Sequence, residues 1–241
     1  MIEPPPLIPS VANNIRVDFN QGCILPVNKP AEWTSFDVVK KIRNTCKAKV
    51  GHAGTLDPLA TGLLILCTGK LTKKLDEIQG MVKEYTGTMI LGASTPTYDS
   101  ELPPDNKYPT DHIDEALIMD TVKQFTGKIK QRPPIYSAIK VEGEALYKKA
   151  RRGESVEIKT REVQIDEFEI SNIDGLEISF SIRCSKGTYV RSLAHDFGKA
   201  LNSGAYLATL CRTRIGTFSI EDAWDLDDLV KWIKTMRDAD S

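Results

Sequence analysis

The apolar positions of this 241-residue chain form short runs and alternating stretches that predict several β-strands. The run Leu63–Cys67 is continuous, which is typical of a strand that is buried on both faces. Lys83–Leu91 alternates instead and carries β-branched residues, which indicates a strand with one buried face. By the same criteria we predict strands at 23–27, 63–67, 83–91, 162–171, 176–184 and about 206–218.

Apolar residues spaced by three or four positions predict the helices that lie between these strands. Thr34 or Ser35 can cap the first helix, because a hydroxyl at the N-cap accepts a hydrogen bond from the backbone of the first turn. Gly204 occupies the place of a C-cap glycine after the helix that carries Tyr189 and Leu193. We predict helices after Thr34, around 71–78, and at 113–125, 144–152, 189–201 and about 226–237.

These strands and helices interleave irregularly, so the predicted fold class is α+β around a mixed sheet. We expect the proline-rich residues 1–20 to form a flexible arm before a single domain over 21–241. The stretch 93–112 holds four prolines and predicts a long loop. Residues 127–161 alternate short apolar and basic pieces around a Pro-Pro pair.

The composition is that of an ordinary globular protein, with 41% apolar and 27% charged residues. The five cysteines are widely scattered, which fits neither a disulfide framework nor a zinc site. Neither a secretory signal nor an apolar run long enough to span a membrane is recognisable. We therefore expect a cytoplasmic protein.

A net charge of −1 argues against a nucleic-acid-binding protein, but the basic residues are unevenly distributed. Ten basic and four acidic residues lie between Lys128 and Arg161, which gives a local net charge of +6. A second basic cluster extends from Lys40 to Lys49. Charge runs are more often a solvated face. Because the second cluster leads directly into a glycine-rich loop, we interpret it as a track for phosphates.

That loop, residues 51–62 (GHAGTLDPLATG), presents one carboxylate, Asp57, among small residues. An Asp-Pro step alone is most often a turn, and His52 alone is more often structural. Three glycines, however, permit positive φ angles and the close approach of a ligand backbone. No second carboxylate, metal-binding cluster or Ser/His pair accompanies Asp57 in this loop. The arrangement suits an enzyme that attacks or deprotonates one large substrate held by other residues.

Three further segments combine residue types that suit an extruded nucleotide. Tyr85 is a core residue in the simplest interpretation, but its ring can stack on a flipped base. Arg191 lies in the first turn of a predicted helix, where the helix dipole disfavours a cation without an anionic partner. Asp57 or a phosphate would be such a partner. Residues 131–140 combine basic, aromatic and rigid residues, and otherwise form an ordinary junction between a loop and a strand.

Several motifs, in the right order along the chain, resemble those of the TruB-type pseudouridine synthases. The loop 51–62 matches the family signature Gly-His-x-Gly-x-Leu-Asp-Pro-x-Ala-x-Gly, with Asp57 at the catalytic aspartate. Lys83 and Tyr85 match the Lys-x-Tyr motif, whose tyrosine stacks on the target base.

The resemblance continues through the second half of the chain, and in total it extends from about Gly22 to Leu229. Residues 132–151 resemble the region with which the family grips RNA. Residues 185–191 (SKGTYVR) match the motif whose arginine pairs with the aspartate, and Leu210 falls where the family places a leucine in the uracil pocket.

The resemblance implies a pseudouridine-synthase fold with a mixed, largely antiparallel sheet flanked by helices, and a thumb-like RNA-gripping segment at about 127–161. It implies the isomerisation of uridine to pseudouridine at position 55 in the T-loop of tRNA. The implied partner is the tRNA T-arm, and the enzyme is implied to be a monomer with no cofactor, metal or membrane. The implied catalytic residues are Asp57, Tyr85 and Arg191. The implied substrate- and RNA-binding residues are His52, Lys83, Arg132, Lys148, Arg151, Tyr189 and Leu210.

In the implied mechanism the target uridine is flipped into the site, and Asp57 promotes cleavage of its N-glycosidic bond. The sequence leaves open whether the carboxylate attacks the sugar or removes a sugar proton. Arg191 holds Asp57 ionised and aimed. The uracil then rotates, C5 bonds to C1′, and the C5 proton leaves with Tyr85 as the base or as its positioner.

Two features depart from the family pattern, and two other functions stay open. The chain ends too soon to hold the C-terminal PUA module of many relatives, and Cys211 stands where an arginine often precedes Arg212. The second hypothesis is a catalytically silent RNA-binding or RNA-folding factor. The presence of Asp57, Tyr85 and Arg191 together counts against it, because binding alone does not need these three residues as a set. A hydrolase with a non-RNA substrate would lack a visible second acid or base.

Overall fold

A computed structural model describes residues 7–10, 17–137, 139–141, 143–154 and 156–238. The chain divides into two compact units. Unit 1 combines Met1–Tyr85 with Cys211–Ser241, and unit 2 is Thr86–Leu210.

The secondary structure is α+β, with a mixed, largely antiparallel sheet and flanking helices, as predicted. The strands are β1 (Ile24–Lys29), β2 (Val50–His52), β3 (Thr61–Thr68), β4 (Lys83–Leu91), β5 (Ala93–Ser94), β6 (Asn106–Lys107), β7 (Gly127–Gln131), β8 (Lys140–Val141), β9 (Glu144–Ala145), β10 (Arg161–Asp174), β11 (Glu177–Cys184), β12 (Ala205–Ile215), β13 (Phe218–Ser219) and β14 (Trp224–Asp225). The helices are α1 (Ser35–Cys46), α2 (Leu75–Gly80), α3 (Glu115–Gln124), α4 (Leu146–Arg151), α5 (Val190–Ala200) and α6 (Leu226–Asp238), with 3-10 turns at Gly69–Lys74 and Ile220–Asp222.

In unit 1 the strand order is β14-β1-β3-β12, with β2 added beside β3 and β13 beside β12. β1 is antiparallel to β3, whereas β1 with β14 and β3 with β12 are parallel pairs. The apolar run in β3 is buried on both faces, as predicted. Leu64 and Leu66 pack with α1 and α6, and the alternate residues Leu63, Ile65 and Cys67 pack in a second cluster with α2.

Helix α1 begins at the predicted capping residue. The Thr34 hydroxyl accepts a hydrogen bond from the Asp37 backbone at 3.1 Å, and the Asp37 carboxylate accepts one from the Thr34 backbone at 3.1 Å. The helix ends at Lys47, which takes a left-handed conformation with φ 56°. One face of α1 packs into the core, and its buried residues are Ser35, Val38, Val39, Ile42 and Cys46.

Part of the predicted flexible arm, residues 1–20, lies outside the described residues. Residues 7–10 are held against unit 1: Leu7 forms a parallel bridge with Ile24, and Ile8 is fully buried. The indole Nε1 of Trp224 donates to the carbonyl of Ile8 at 2.9 Å. This short stretch is therefore part of the fold.

In unit 2 the strand order is β12-β4-β11-β10-β7, and both β10–β11 and β10–β7 are antiparallel. An aromatic cluster joins these strands to α5. The ring of Phe168 lies 5.7 Å from that of Phe197 and 6.0 Å from that of Phe180, and Phe197 lies 5.7 Å from Phe125. These centroid distances are those of favourable edge-to-face and tilted pairs.

The predicted C-cap at Gly204 is wrong. The residue with positive φ after α5 is Asn202, at 53°. Gly204 is needed for close packing instead, because a Cβ atom there would lie 2.4 Å from a ring carbon of Tyr108. A glycine is required here by a contact with a segment distant in the chain, which the local sequence pattern could not show.

Two other sequence expectations need adjustment. The predicted loop 93–112 contains the short antiparallel pair β5–β6, and the strand predicted at 206–218 breaks at Gly216, with φ 53°, into β12 and β13. None of the helices in the described part of the chain combines the length and apolar character needed to cross a membrane.

Candidate active site

The loop that carries Asp57 connects β2 to β3, an antiparallel pair in unit 1. Ala53, Leu56 and Ala60 are buried, so small apolar side chains fasten the loop to the core. The Ala60 N–H donates to the carbonyl of Asp57 at 3.1 Å, which closes a turn over the Asp-Pro step. The Asp57 side chain itself is only half-buried. The backbone is thus fixed while the carboxylate stays accessible.

Lys29, at the end of β1, is a fully buried lysine whose ammonium binds backbone carbonyls around this loop. Its Nζ donates to the carbonyls of Trp33 at 2.6 Å, Pro30 at 2.8 Å and Pro58 at 3.1 Å. Burial lowers the pKa of Lys29 to about 8, and the negative charge of Asp57 opposes this effect. The lysine is therefore charged at neutral pH and ties down the residue that follows Asp57.

Arg212 on β12 and Ser35 on α1 fix the loop at two further points. The buried Arg212 guanidinium donates to the carbonyl of Leu63 at 2.8 Å and to that of Gly54 at 3.1 Å. The Ser35 hydroxyl accepts from the Leu56 N–H at 2.9 Å and donates to the Leu56 carbonyl at 3.2 Å. Side chains from three separate elements therefore hold the backbone on both sides of Asp57.

Gly62 allows the end of the loop to approach β12 closely. It takes φ +100°, a region that favours glycine, and a Cβ atom there would lie 2.4 Å from the Arg212 carbonyl oxygen. Any other residue would force β3 away from β12. This glycine in the signature therefore serves the strand pairing that supports the loop.

His52 ends β2, five residues before Asp57, and is half-buried. Burial lowers the pKa of His52, and the positive charge of Arg212 lowers it further, while the backbone of Gly54 opposes the shift. The imidazole is consequently neutral at physiological pH. An RNA contact by His52 would be a hydrogen bond or a stacking contact, and not an ion pair.

Lys83, on β4, is bound within the protein, and its RNA contact stays a prediction. The side chain is 6% exposed, and Nζ donates to the carbonyls of Gln79 and Met81 at 2.5 Å each, at the end of α2. Cations favour the last turn of a helix, so this lysine acts as a helix C-cap. Tyr85, two residues further on the same face of β4, is 9% exposed, so protein atoms cover most of its ring.

In unit 2, Arg191 is the second residue of α5 and is 4% exposed. Its Nη1 donates to the carbonyl of Thr97 and its Nη2 to that of Tyr136, both at 3.0 Å. Its Nε lies 3.5 Å from Oδ2 of Asp99, which is also buried. Within this unit, Asp99 is the anionic partner that a cation near a helix N-terminus requires.

The segment before Asp99 is held in an uncommon backbone conformation. Tyr98 has φ 64°, and the Thr95 hydroxyl donates to the Asp99 carbonyl at 2.7 Å. The ring of Tyr98 stacks on His195, one turn after Arg191 in α5, with centroids 3.8 Å apart and planes at 11°. Burial raises the pKa of Tyr98 and lowers that of His195 to about 4. A neutral aromatic pair therefore supports the Asp99–Arg191 contact.

Tyr189, the N-cap residue of α5, is fixed by two hydrogen bonds to Gln131. Its N–H donates to Oε1 at 2.8 Å, and its carbonyl accepts from Nε2 at 3.0 Å. The Arg161 guanidinium lies over the ring, 4.7 Å from its centroid. Leu210, near the end of unit 2 on β12, is half-buried.

The predicted RNA-binding residues between 127 and 161 lie at the surface of unit 2. Arg132, Lys148 and Arg151 are exposed. The Arg132 carbonyl accepts from the Ser192 hydroxyl at 2.8 Å, so its backbone is fixed while its side chain is available. The Arg151 guanidinium lies 5.6 Å from the centroid of the Tyr147 ring.

Other cations of this segment are neutralised within the protein. Arg152 donates to both carboxylate oxygens of Glu144 at 2.7 Å and to Glu154 at 2.7 Å. Lys128 lies 3.3 Å from Glu162. The local net charge of +6 that the sequence shows therefore overstates the positive charge available to a polyanion here.

Sequence analysis missed four residues that position the candidate site: Lys29, Ser35 as a loop anchor, Asp99 and Arg212. Three of them act on backbone carbonyls or amides distant in the chain, and such acceptors leave no mark in a sequence. Of the four, only Arg212 stands out in the sequence, because it follows Cys211 in a stretch that resembles a family motif. Among the described residues, no three or more His, Cys, Asp or Glu side chains form a group that could hold a metal ion.

Comparison with known proteins gives one consistent family. Residues 40–190 match the family model described as TruB family pseudouridylate synthase (N terminal domain), and residues 191–241 match tRNA pseudouridylate synthase B C-terminal domain. A tRNA pseudouridine synthase B of Flavobacterium johnsoniae is 54% identical over 217 residues, which cover 87% of this chain and 95% of the relative. A protein of the same name from Phocaeicola vulgatus is 48% identical over 224 residues, covering 90% and 95%.

Solved structures agree with this result. A Cbf5-Nop10-Gar1 complex matches with a TM-score of 0.72 at 29% identity, over 92% of this chain. An H/ACA RNP bound to a substrate RNA containing 2'-deoxyuridine matches with a TM-score of 0.69 at 27% identity, again over 92% of this chain. In both cases the chain spans 57% of the length of the solved protein.

Proposed function

The chain belongs to the TruB family of pseudouridylate synthases, and from this premise we propose which of its residues carry the reaction. Its activity is the isomerisation of uridine to pseudouridine in tRNA. The main observation behind these roles is the way in which the loop holds Asp57. A half-buried carboxylate projects from a loop whose backbone is held by the buried side chains of Lys29, Ser35 and Arg212.

Asp57 is proposed as the group that promotes cleavage of the bond between C1′ and N1 of the target uridine. The charged ammonium of Lys29 favours the ionised carboxylate, which the reaction needs. Either the carboxylate bonds to C1′ as the uracil leaves with the electron pair, or it removes a sugar proton as the uracil leaves. The uracil then rotates and C5 bonds to C1′. In the first route the bond between C1′ and the carboxylate breaks in this step, and in the second the carboxylic acid returns the proton to the sugar. In both routes the C5 proton leaves last.

Arg191 is proposed to keep the catalytic carboxylate ionised and aimed, as the family resemblance implies. What supports this role is the rigid mounting of the guanidinium in unit 2, where two carbonyls and Asp99 hold it. A planar guanidinium fixed at several points loses little further freedom during the reaction. Tyr85 is proposed to stack on the flipped base and to remove or help remove the C5 proton.

The target is proposed to be position 55 in the T-loop, bound through the T-arm. His52, Tyr189 and Leu210 are proposed to contact the flipped nucleotide. The exposed Arg132, Lys148 and Arg151 are proposed to grip the RNA backbone as part of a thumb-like segment at 127–161. Lys83 is given a structural role instead, because its ammonium caps α2.

We also propose that residues 21–241 work as one catalytic domain, in a monomer and in the cytoplasm. The compartment is supported by the cysteines: all five are free, and four of them are buried. Persistent free thiols are typical of a reducing compartment.

The experiment uses a tRNA transcript labelled with tritium at uridine C5, because replacement of the C5 proton releases the label. We expect release from the full transcript and from an isolated T-arm hairpin, and no release when the T-loop uridine at position 55 is replaced by cytidine. Unchanged release from the cytidine-substituted transcript would contradict the proposed position. Binding without release from any transcript would favour a catalytically silent RNA-binding factor.

A further inference from the structure

We propose that the exposed face of α1 is a second RNA-binding surface, which binds the phosphate backbone of the tRNA outside the target nucleotide. This surface, the α1 stripe, consists of Phe36, Lys40, Arg43 and Lys47. The proposal rests on the proposed function, since it takes the tRNA substrate as the ligand. It adds a contact region in unit 1 that is separate from the thumb-like segment.

The four residues form a straight line on the helix surface. They follow one another at intervals of four, three and four positions, which places side chains on one helical face. The residues of α1 that face the core are Ser35, Val38, Val39, Ile42 and Cys46, so the stripe lies on the opposite side. At 1.5 Å rise per residue the stripe is roughly 16 Å long.

The cations of the stripe are available to a ligand. Lys40, Arg43 and Lys47 are exposed, and none of them forms an ion pair within the described part of the chain. The acidic residue in the same helix, Asp37, accepts hydrogen bonds in the capping box with Thr34, and its charge also lies near Lys40. This differs from the thumb-like segment, where glutamates neutralise several cations.

The stripe is tied to the catalytic loop at both ends of α1. Ser35, the residue before Phe36, binds the backbone of Leu56 directly before Asp57. At the other end, β2 begins three residues after Lys47 and leads to His52. Within unit 1, an RNA bound along the stripe would therefore be held at a fixed distance from Asp57.

A groove between α1 and α6 extends the same positive surface. Its volume is about 340 Å³, and the described residues that line it include four basic and no acidic side chains. Arg237 donates to the carbonyl of Thr45 at 2.9 Å, which fixes the end of α6 against the end of α1. The groove is lined by Lys41, Asn44, Thr45, Lys47, Val230, Lys234 and Arg237.

Phe36 is the feature that helix stability does not explain. Its side chain is 60% exposed at the end of the stripe nearest to the Asp57 loop, so most of the ring lies outside the protein core. Cations at the C-terminal end of a helix are favoured by the dipole, but Lys40, in mid-helix, gains little in this way. An exposed aromatic ring followed by a line of cations is typical of a surface that stacks a base and follows the backbone.

The first test removes the three charges in the triple variant Lys40→Gln, Arg43→Gln, Lys47→Gln. Because three phosphate contacts are lost, the slope of log K against log salt should decrease by about 2.7. When the salt is raised from roughly 50 mM to 200 mM, the affinity of the triple variant for the full tRNA transcript should therefore fall about 40-fold less than that of the original protein. The control Lys107→Gln, Lys123→Gln, Arg183→Gln removes three exposed cations from unit 2, of which Lys123 and Arg183 are paired with carboxylates, and it should leave both quantities unchanged.

The second test separates stacking from charge. Phe36→Ala should weaken binding about tenfold without changing the salt dependence, because a base–aromatic stack carries no charge. Phe36→Tyr keeps the ring and should bind like the original protein. All these positions are exposed, so unchanged thermal unfolding is expected and serves as the folding control.

Turnover of the unaltered protein is measured on the same transcript, so the proposed function and the proposed α1 stripe can be refuted separately. No tritium release by the unaltered protein would overturn the proposed function. Suppose that the unaltered protein releases tritium, and that the triple variant and its control have equal affinity and equal salt slope. This result would overturn the proposal that the α1 stripe binds RNA. The latter result would assign these cations to another partner, such as an acidic protein surface, or to solvation alone.

Discussion

In unit 1, the buried cations Lys29 and Arg212 bind backbone carbonyls of the loop that carries Asp57, and the carboxylate itself is left half-buried. In unit 2, the buried cation is Arg191 itself, held through its own guanidinium by the carbonyls of Thr97 and Tyr136. One candidate catalytic group is positioned through its backbone and the other through its side chain.

This difference predicts how substitutions at Asp57 and at Arg191 should affect activity and stability. A substitution at Asp57 changes the chemistry but leaves in place the hydrogen bonds through which Lys29, Ser35 and Arg212 hold the loop backbone, so the fold should tolerate it. A substitution at Arg191 removes the chemistry and the support together, because it leaves two carbonyls without their donor and the buried Asp99 without its cation. Around Asp57, the residues that fix the geometry are its neighbours.

Among the residues that support Asp57, the largest effect is expected from Arg191→Lys. An ammonium cannot bind both carbonyls and Asp99 with the geometry of a planar guanidinium, so turnover should fall by about 100-fold or more. The stability of the protein should fall as well, by about 2–4 kcal/mol. Single-turnover tritium release and urea unfolding measure the two effects. An intact unfolding curve with lost turnover would show that Arg191 is not held through its side chain.

Lys29→Met should lower both stability and turnover, because it removes the donor for three carbonyls around the loop and the positive charge that favours the ionised Asp57 carboxylate. We expect a loss of about 2–4 kcal/mol in the free energy of unfolding. Lys107→Met makes the same chemical change at an exposed site and should cost less than about 0.5 kcal/mol. If both variants unfolded alike, the ammonium would not be what holds the loop.

The side-chain mounting in unit 2 should be sensitive to acid. The pKa of His195 is lowered from 6.5 to about 4, so in this range the unfolded chain binds a proton that the folded protein excludes. Stability therefore falls as the pH falls from 6.5 towards 4, by on the order of 2–3 kcal/mol at pH 4. His195→Phe keeps a ring against Tyr98, and its unfolding should lose less stability over this range. Equal acid sensitivity in both proteins would contradict the assignment to His195.

The smallest effect is expected from Ser35→Ala, which removes one anchor of the loop. The buried N–H of Leu56 loses its acceptor, at a cost of about 1–2 kcal/mol. Turnover should fall several-fold, because Asp57 is the next residue along the chain. Ser171→Ala, an exposed serine on β10, is the matched control. Unchanged turnover in Ser35→Ala would show that the remaining anchors position Asp57 alone.

The sequence predicted those features that depend on local patterns. The capping box at Thr34 and the strand Lys83–Leu91 are confirmed at the residue level, since propensity and spacing determine both. It could not show contacts with distant segments, such as Asp99 meeting Arg191 across 92 positions in the chain. Nor could it show which nearby group a side chain binds: the ammonium of Lys83 binds carbonyls two and four positions away, and Arg152 pairs with glutamates two and eight positions away.

The central claim is that the Asp57 carboxylate carries the chemistry while Lys29, Ser35 and Arg212 hold the backbone of its loop. Asp57→Asn removes the charge and keeps the shape, so single-turnover tritium release and tRNA affinity should be measured on the same preparation. The account predicts no detectable release, affinity within a few-fold of the original protein, and an unchanged unfolding curve. Normal release by the asparagine variant would contradict the assignment of the site.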